Sequence, residues 1–128
     1  MVRRDTRAAG TAAELAALNF LTRKGLHCIR RNFRCRLGEI DLVMQDGDCL
    51  VFVEVRYRSS TRFTRAGLTV DGHKQRRIIR TAALFLAGRA RYAHNTVRFD
   101  VIAIHGGDRD ENTLEWIRDA FRPGDCSF

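Results

Sequence analysis

Three carboxylates and a guanidinium crowd around one turn signal. Glu39 and Asp41 precede the tripeptide Asp46-Gly47-Asp48, and Glu54 and Arg56 follow it. Residues 37–45 and 49–58 alternate in polarity on either side, and Asp-Gly between such runs is a strong hairpin signal. Side chains alternate faces along a strand. Ile40, Leu42 and Met44 are therefore expected on one face of the first strand, and Val51, Val53 and Val55 on that of the second. The opposite face carries Glu39, Asp41 and Val43, then Leu50, Phe52, Glu54 and Arg56. A turn at Gly47-Asp48 sets Asp41 opposite Glu54. A turn at Asp46-Gly47 sets Glu39 opposite Glu54, with Asp41 diagonal to it. A turn one residue longer would split the carboxylates and mix the apolar sets, so burial disfavours it. In either remaining register, carboxylates of adjacent strands come within roughly 5–8 Å.

Crowded carboxylates in a half-buried sheet repel and lose hydration. Either their pKa values rise or a cation joins them. Ligand sets made only of oxygen suit Mg²⁺ or Mn²⁺. Arg56, on the same face, can offset the charge that develops on a phosphate under attack. Two acids, an adjacent base and a divalent cation would make a phosphodiesterase site. The same residues would also make a structural ion network, since cross-strand Glu–Arg pairs are common. Spacing leaves both readings open.

The elements that must position these residues are legible in outline. Thr11 and Glu14 match a capping box that opens a helix over 11–24. Leu15, Leu18 and Leu21 form its apolar stripe, and Gly25 is placed to end it. Residues 26–33 read as a strand before the hairpin. A basic loop spans 59–70, and Asp71 can cap a second helix over 72–88. Residues 96–105 form a further strand, Gly106-Gly107-Asp108 a turn, and 114–117 a short edge strand. The order α-β-β-β-α-β-β fits an α/β domain, a mixed sheet with helices packed on it. At 128 residues the chain makes one domain, with loose tails expected at 1–10 and 122–128.

Charge narrows the partners. Lys+Arg is 23 against Asp+Glu 15, giving +8, and all the bases but Lys24 and Lys74 are Arg. Residues 1–91 hold 19 of the bases and 8 of the acids. A basic surface points to a polyanion, usually nucleic acid, and a coding bias towards Arg on a soluble charged surface accounts equally for the same number. Arg58, Arg62 and Arg65 in or beside the loop are candidate nucleic-acid contacts, as are Lys74, Arg76, Arg77 and Arg80 on the second helix. Phe63 could stack on a base, though a loop aromatic more often tucks onto the core. No run of 18 apolar residues is present, so no membrane helix is expected. Cys28, Cys35, Cys49 and Cys126 fit no zinc spacing and read as free thiols of a reducing cytoplasm. Cys28 and Cys49 fall in apolar runs, where a thiol behaves as a small hydrophobe. His73 and His94 have no partner pattern.

Gly38-Glu39-Ile40-Asp41-Leu42, Phe52-Val53-Glu54-Val55-Arg56 and Lys74-Gln75-Arg76-Arg77 together resemble the YraN family, uncharacterised protein family 0102. The resemblance runs from about Glu14 to Phe121. That family is similar to restriction-endonuclease-like nucleases of the PD-(D/E)xK type, especially archaeal Holliday-junction resolvases. The resemblance implies a mixed sheet flanked by helices and a Mg²⁺ site on the hairpin. Asp41 and Glu54 match the motif's two acids and would be metal ligands. Arg56 stands where the nuclease pattern has Lys. An Arg keeps its charge at every working pH, so charge stabilisation survives the exchange and proton transfer by this residue does not. Glu14 matches the helix-one glutamate of the resolvase-like branch, and Gln75 falls near a further polar position; the capping box is the competing account of Glu14. Glu39 is either a third ligand or, as favoured here, the partner of Arg56. The implied reaction is hydrolysis of phosphodiester bonds in DNA, branched or single-stranded, by a homodimer matching a two-fold junction. A nucleic-acid-binding module or a scaffold of the same fold is the alternative.

Overall fold

The computed structural model describes residues 6–58, 70–106 and 112–125. Helix α1 (Thr6–Arg23) is followed by strands β1 (His27–Cys35), β2 (Gly38–Asp46) and β3 (Cys49–Arg58). Helix α2 (Gly72–Ala87) leads through one 3₁₀ turn, Ala90–Tyr92, into β4 (Thr96–Gly106) and β5 (Asn112–Phe121). The strands form one sheet in the order β1-β2-β3-β4-β5. Only the β3–β4 pair is parallel, and α2 lies on the crossover between them. Antiparallel neighbours need only short turns, whereas a parallel pair needs a crossover of this kind. The expected order α-β-β-β-α-β-β and mixed sheet are therefore observed.

Each helix covers one face of the sheet. Leu42, Met44, Val51, Val53, Ile102 and Ile104 pack beneath α1 with Ala13, Ala17 and Leu21. Ile40, Val43, Leu50, Phe52 and Phe99 pack beneath α2 with Ile78, Ala82 and Phe85. Strand β3 is buried on both faces from Leu50 to Glu54, as a strand inside a two-sided sheet must be.

Several boundaries depart from expectation. α1 starts at Thr6, so residues 6–10 are helical and Thr11 and Glu14 lie inside the helix. The capping box is thereby overturned. Ala8, Ala9, Ala12 and Ala13 favour helix strongly enough to carry it past the cap signal. At the other end Gly25 takes φ 96°, and the Leu26 N–H donates to Leu21 O at 3.1 Å. Leu26 thus seals the helix and β1 begins one residue later. β5 is longer than the expected 114–117. Cys28, read as a small core residue, is exposed on the edge strand β1. Cys28, Cys35 and Cys49 are free thiols. The cap of α2 holds: Asp71 accepts from the Lys74 N–H at 2.9 Å, and Gly88 ends the helix. The turn at 106–108, the loop from 59 and Cys126 lie wholly or partly outside the described residues. No helix among the described residues is long and apolar enough to cross a membrane.

Candidate active site

The hairpin register is that of a Gly47-Asp48 turn. Asp46 pairs with Cys49, Gln45 with Leu50 and Leu42 with Val53, and Gly47 takes the turn's positive φ of 59°. Continuing the register by one residue sets Asp41 beside Glu54. The two strands part at that point. The Val55 N–H, instead of meeting a strand carbonyl, donates to the Asp41 carboxylate at 2.8 Å. The expected grouping of Ile40 with Leu42 and Met44 is overturned here. Ile40 is buried under α2 while the other two lie under α1. Asp41 therefore stands at the break between the two layers.

Gly38 lets β2 come close to α2. Its φ of 152° is unfavourable for a side chain, and an added Cβ would sit 3.1 Å from Thr81 Oγ1. The Thr81 hydroxyl already donates to Arg77 O at 2.7 Å, which holds it in place. This approach closes a cavity of about 200 Å³ lined by Gly38, Glu39, Glu54, Lys74, Arg77 and Ile78.

Electrostatics mark the place as unusual. Burial, then the charge of Glu54, push the Asp41 pKa up to about 7. Glu14 and Glu39 add to the effect, and the Val55 hydrogen bond opposes it. Glu54 is itself buried, at 7% exposure. Its Oε1 lies 2.6 Å from the Nζ of Lys74, which reaches across from the first turn of α2. An acid pair this crowded takes up a proton or a cation, and an ammonium already stands on one side of it.

The sequence-derived residues fall into three groups. Asp41 and Glu54 come together, the charge of Glu14 is felt at Asp41, and Glu14, no longer a cap, faces an open depression of about 510 Å³ with Thr11, Asn32 and Arg34. Arg56 is half-buried two residues beyond Glu54. Gln75 ties the helix start to the chain before it, its Nε2 donating to Val70 O at 2.6 Å. Glu39 takes Arg34, its cross-strand neighbour, as partner at 3.1 Å, where Arg56 was expected. Lys74, expected on nucleic acid, is the counter-ion of Glu54. Arg77 lines the same cavity, Arg76 bonds His73 Nδ1 at 2.9 Å, and Arg80 is exposed. The Arg58 side chain, Arg62, Phe63 and Arg65 lie outside the described residues. Among the described residues, no three His, Cys, Asp or Glu side chains converge as a metal cluster.

The family profile of the uncharacterised protein family UPF0102 matches residues 13–104. The chain belongs to this family. A UPF0102 protein of Pseudomonas putida strain F1 is 46% identical over 113 residues, covering 88% of this chain and 92% of the relative. One from Pseudomonas savastanoi pv. phaseolicola is 47% identical over 121 residues, covering 94% and 98%. One from Stutzerimonas stutzeri is 46% identical over 117 residues, covering 91% and 97%. The UPF0102 match takes in Glu14, Asp41, Glu54, Arg56, Lys74 and Gln75.

Sequence reasoning missed one buried centre in the same span. Asp100, fully buried, is gripped by Arg98 at 2.9 and 3.0 Å, by Trp116 Nε1 at 2.9 Å and by the Asp119 N–H at 2.9 Å. Arg98 also reaches Asp46 at 3.3 Å. This network ties β4, β5 and the hairpin turn together. A signal was available: Asp100 is an acid inside an otherwise apolar strand, and such a residue is buried only with partners.

Proposed function

We propose that this UPF0102 protein is a Mg²⁺-dependent endonuclease-like protein that hydrolyses phosphodiester bonds in DNA, with a restriction-endonuclease-like fold. Branched or single-stranded DNA is the favoured substrate, by analogy with resolvases. The observation that carries the reading is the placement of Asp41, held by the Val55 N–H at 2.8 Å, beside the buried Glu54, where burial and the Glu54 charge raise the Asp41 pKa to about 7. Such a pair has the donor chemistry that Mg²⁺ uses, one or two carboxylates with water and phosphate oxygens completing the shell. Asp41 and Glu54 would hold the ion; Mn²⁺ suits the same oxygens. A bound ion would polarise a phosphoryl oxygen and provide hydroxide at neutral pH.

The chain's own groups do the rest. The Val55 N–H fixes the orientation of Asp41. Arg56 and Lys74 offset charge on the phosphate, and Lys74 brings a lysine to the site although Arg56 occupies the motif's strand position. Gln75 holds the start of α2, and so Lys74, in place. Glu14 sustains the negative potential. The Arg-rich loop and α2 would carry the DNA, and a homodimer would match a two-fold junction. The free thiols suit a reducing cytoplasm.

Calorimetry and a cleavage panel test this. The parent is expected to take up Mg²⁺ or Mn²⁺ at millimolar concentration and to cut at least one of linear, single-stranded or four-way DNA. Asp41→Asn should lose both while staying folded. Cleavage that persists in Asp41→Asn, or no metal uptake, overturns the reading. The alternative is a nucleic-acid-binding module or scaffold, favoured by Lys74 already neutralising Glu54. Salt-sensitive binding without cleavage selects the module; salt-insensitive behaviour selects the scaffold.

A further inference from the structure

A second cavity opens at the far end of α2 from the carboxylates. It holds about 260 Å³ and is lined by Ile29, Arg30, Phe85, Arg89, Arg91 and Tyr92. Ile78 lines the carboxylate cavity and Phe85 this one, seven residues and about 10 Å apart along the helix. The new cavity has three bases and no acid in its wall. None of the three guanidiniums is in an ion pair with a carboxylate among the described residues.

Each guanidinium lies over a ring. Arg89 is 4.0 Å from the Phe85 centroid, Arg30 5.8 Å from that of Phe33, and Arg91 5.7 Å from that of Tyr92. The rings brace one another. Phe85 stacks on Tyr92 at 6.1 Å and meets Phe33 edge-on at 5.2 Å. Arg89 is further fixed by donating to Phe85 O at 2.7 Å. Three cations around an aromatic floor, with no carboxylate partner among the described residues, make a poor structural ion network and a good polyanion site. Aromatic rings framed by guanidiniums recognise unpaired bases and the phosphates between them. At about 260 Å³ the cavity is smaller than most small-molecule pockets, which run about 300–1,000 Å³. Stacking on a ring of its wall needs a base with a free face, which a base stacked and paired in a duplex does not offer.

We propose that Arg30, Arg89, Arg91 and Tyr92 form a single-strand contact, with phosphates on the guanidiniums and an unpaired base against the Tyr92 ring. The proposal deepens the nucleic-acid reading above by naming single-stranded nucleic acid as the class bound. It does not need cleavage to be correct. A strand lying along α2 would run from this contact to the carboxylate cavity.

The test is fluorescence anisotropy on the full chain, with labelled 12-nucleotide DNA and RNA strands and the matching blunt DNA duplex, in EDTA, over a salt series. The charge variant is Arg30→Gln/Arg91→Gln, which spares the more enclosed Arg89. It should weaken single-strand binding and lower the log–log salt slope by about 1.4, the value for two lost phosphate contacts on a single strand. Tyr92→Leu should weaken it about fivefold or more with the slope unchanged. Urea denaturation of each variant checks that the fold is intact. Parent-like affinity and slope in the charge variant overturn the proposal. So does an equal loss on single strand and duplex, which would mean a general basic surface. Asp100→Asn, at a residue that lines neither cavity, should bind single strands as the parent does under conditions where it is folded. Absence of cleavage in every protein would leave these readings unchanged, so the two proposals stand or fall separately.

Discussion

Asp41 stores a measurable amount of instability. Its carboxyl is held up to about 7, whereas in the unfolded chain it titrates near 3.9. Between those values the folded state keeps a proton that the unfolded state has lost. Stability therefore falls as pH rises through that window and levels off above it. The full effect is on the order of 4 kcal/mol, at about 1.4 per unit. Asp41→Asn keeps an acceptor for the Val55 N–H and removes the titration. The variant should be clearly more stable than the parent at pH 8 and close to it at pH 4, read as urea midpoints. Parallel pH curves for the two proteins would show that Asp41 is an ordinary carboxylate. Lys74 is the complementary case. Lys74→Met leaves Glu54 buried and unpaired, and should cost about 1–3 kcal/mol, tempered by the partial exposure of the lysine. Adding Glu54→Gln to that variant should recover part of the loss. At this scale the sequence narrowed the meeting to Glu54 with either Asp41 or Glu39, because alternation and turn length allow few registers, and the observed turn selects Asp41. It did not show that Lys74 would reach Glu54, because a helix's distance from a strand depends on packing that no local pattern encodes.

At the scale of elements, the positions of β2 and α2 decide whether a site exists. Gly38 is the clearest control. Its φ of 152° and the 3.1 Å approach to Thr81 Oγ1 both oppose a Cβ. Gly38→Ala should destabilise the fold by about 1–3 kcal/mol. It should also push β2 away from α2 and weaken metal uptake more than Thr81→Ser does. Equal denaturation midpoints for Gly38→Ala and the parent would remove Gly38 from this role. Elements whose ends are set by local chemistry were legible: the Asp71 cap, the Gly25 stop and the Asp-Gly hairpin. Elements whose ends are set by neighbours were not. β5 runs past its apolar stretch because β4 offers backbone partners along its length. α1 overruns its cap signal because alanine costs the helix nothing. The regrouping of Ile40 follows from the parting of β2 and β3 at Asp41, a tertiary event invisible to a period-two pattern.

On the whole molecule, the +8 charge becomes informative through the way the acids are spent. Asp46, Asp100 and Asp119 are tied to Arg98, Arg118 or Arg122, and Glu39 and Glu54 to Arg34 and Lys74. Arg30, Arg89 and Arg91 have no carboxylate partner among the described residues. Net charge alone would predict uniform, weak polyanion binding, whereas this division predicts a localised one. Asp100 offers a control, because it ties β4 to β5 and lines neither cavity. Asp100→Asn should lower stability by about 3 kcal/mol or more, since Arg98 loses its buried partner. Its salt slope for single-stranded DNA should nevertheless match the parent's under conditions where the variant is folded. The Arg30→Gln/Arg91→Gln protein should show the reverse, with parent-like stability and a lower slope. If both variants lost stability and slope together, the charge would be serving the fold, and the basic surface would say nothing about a partner.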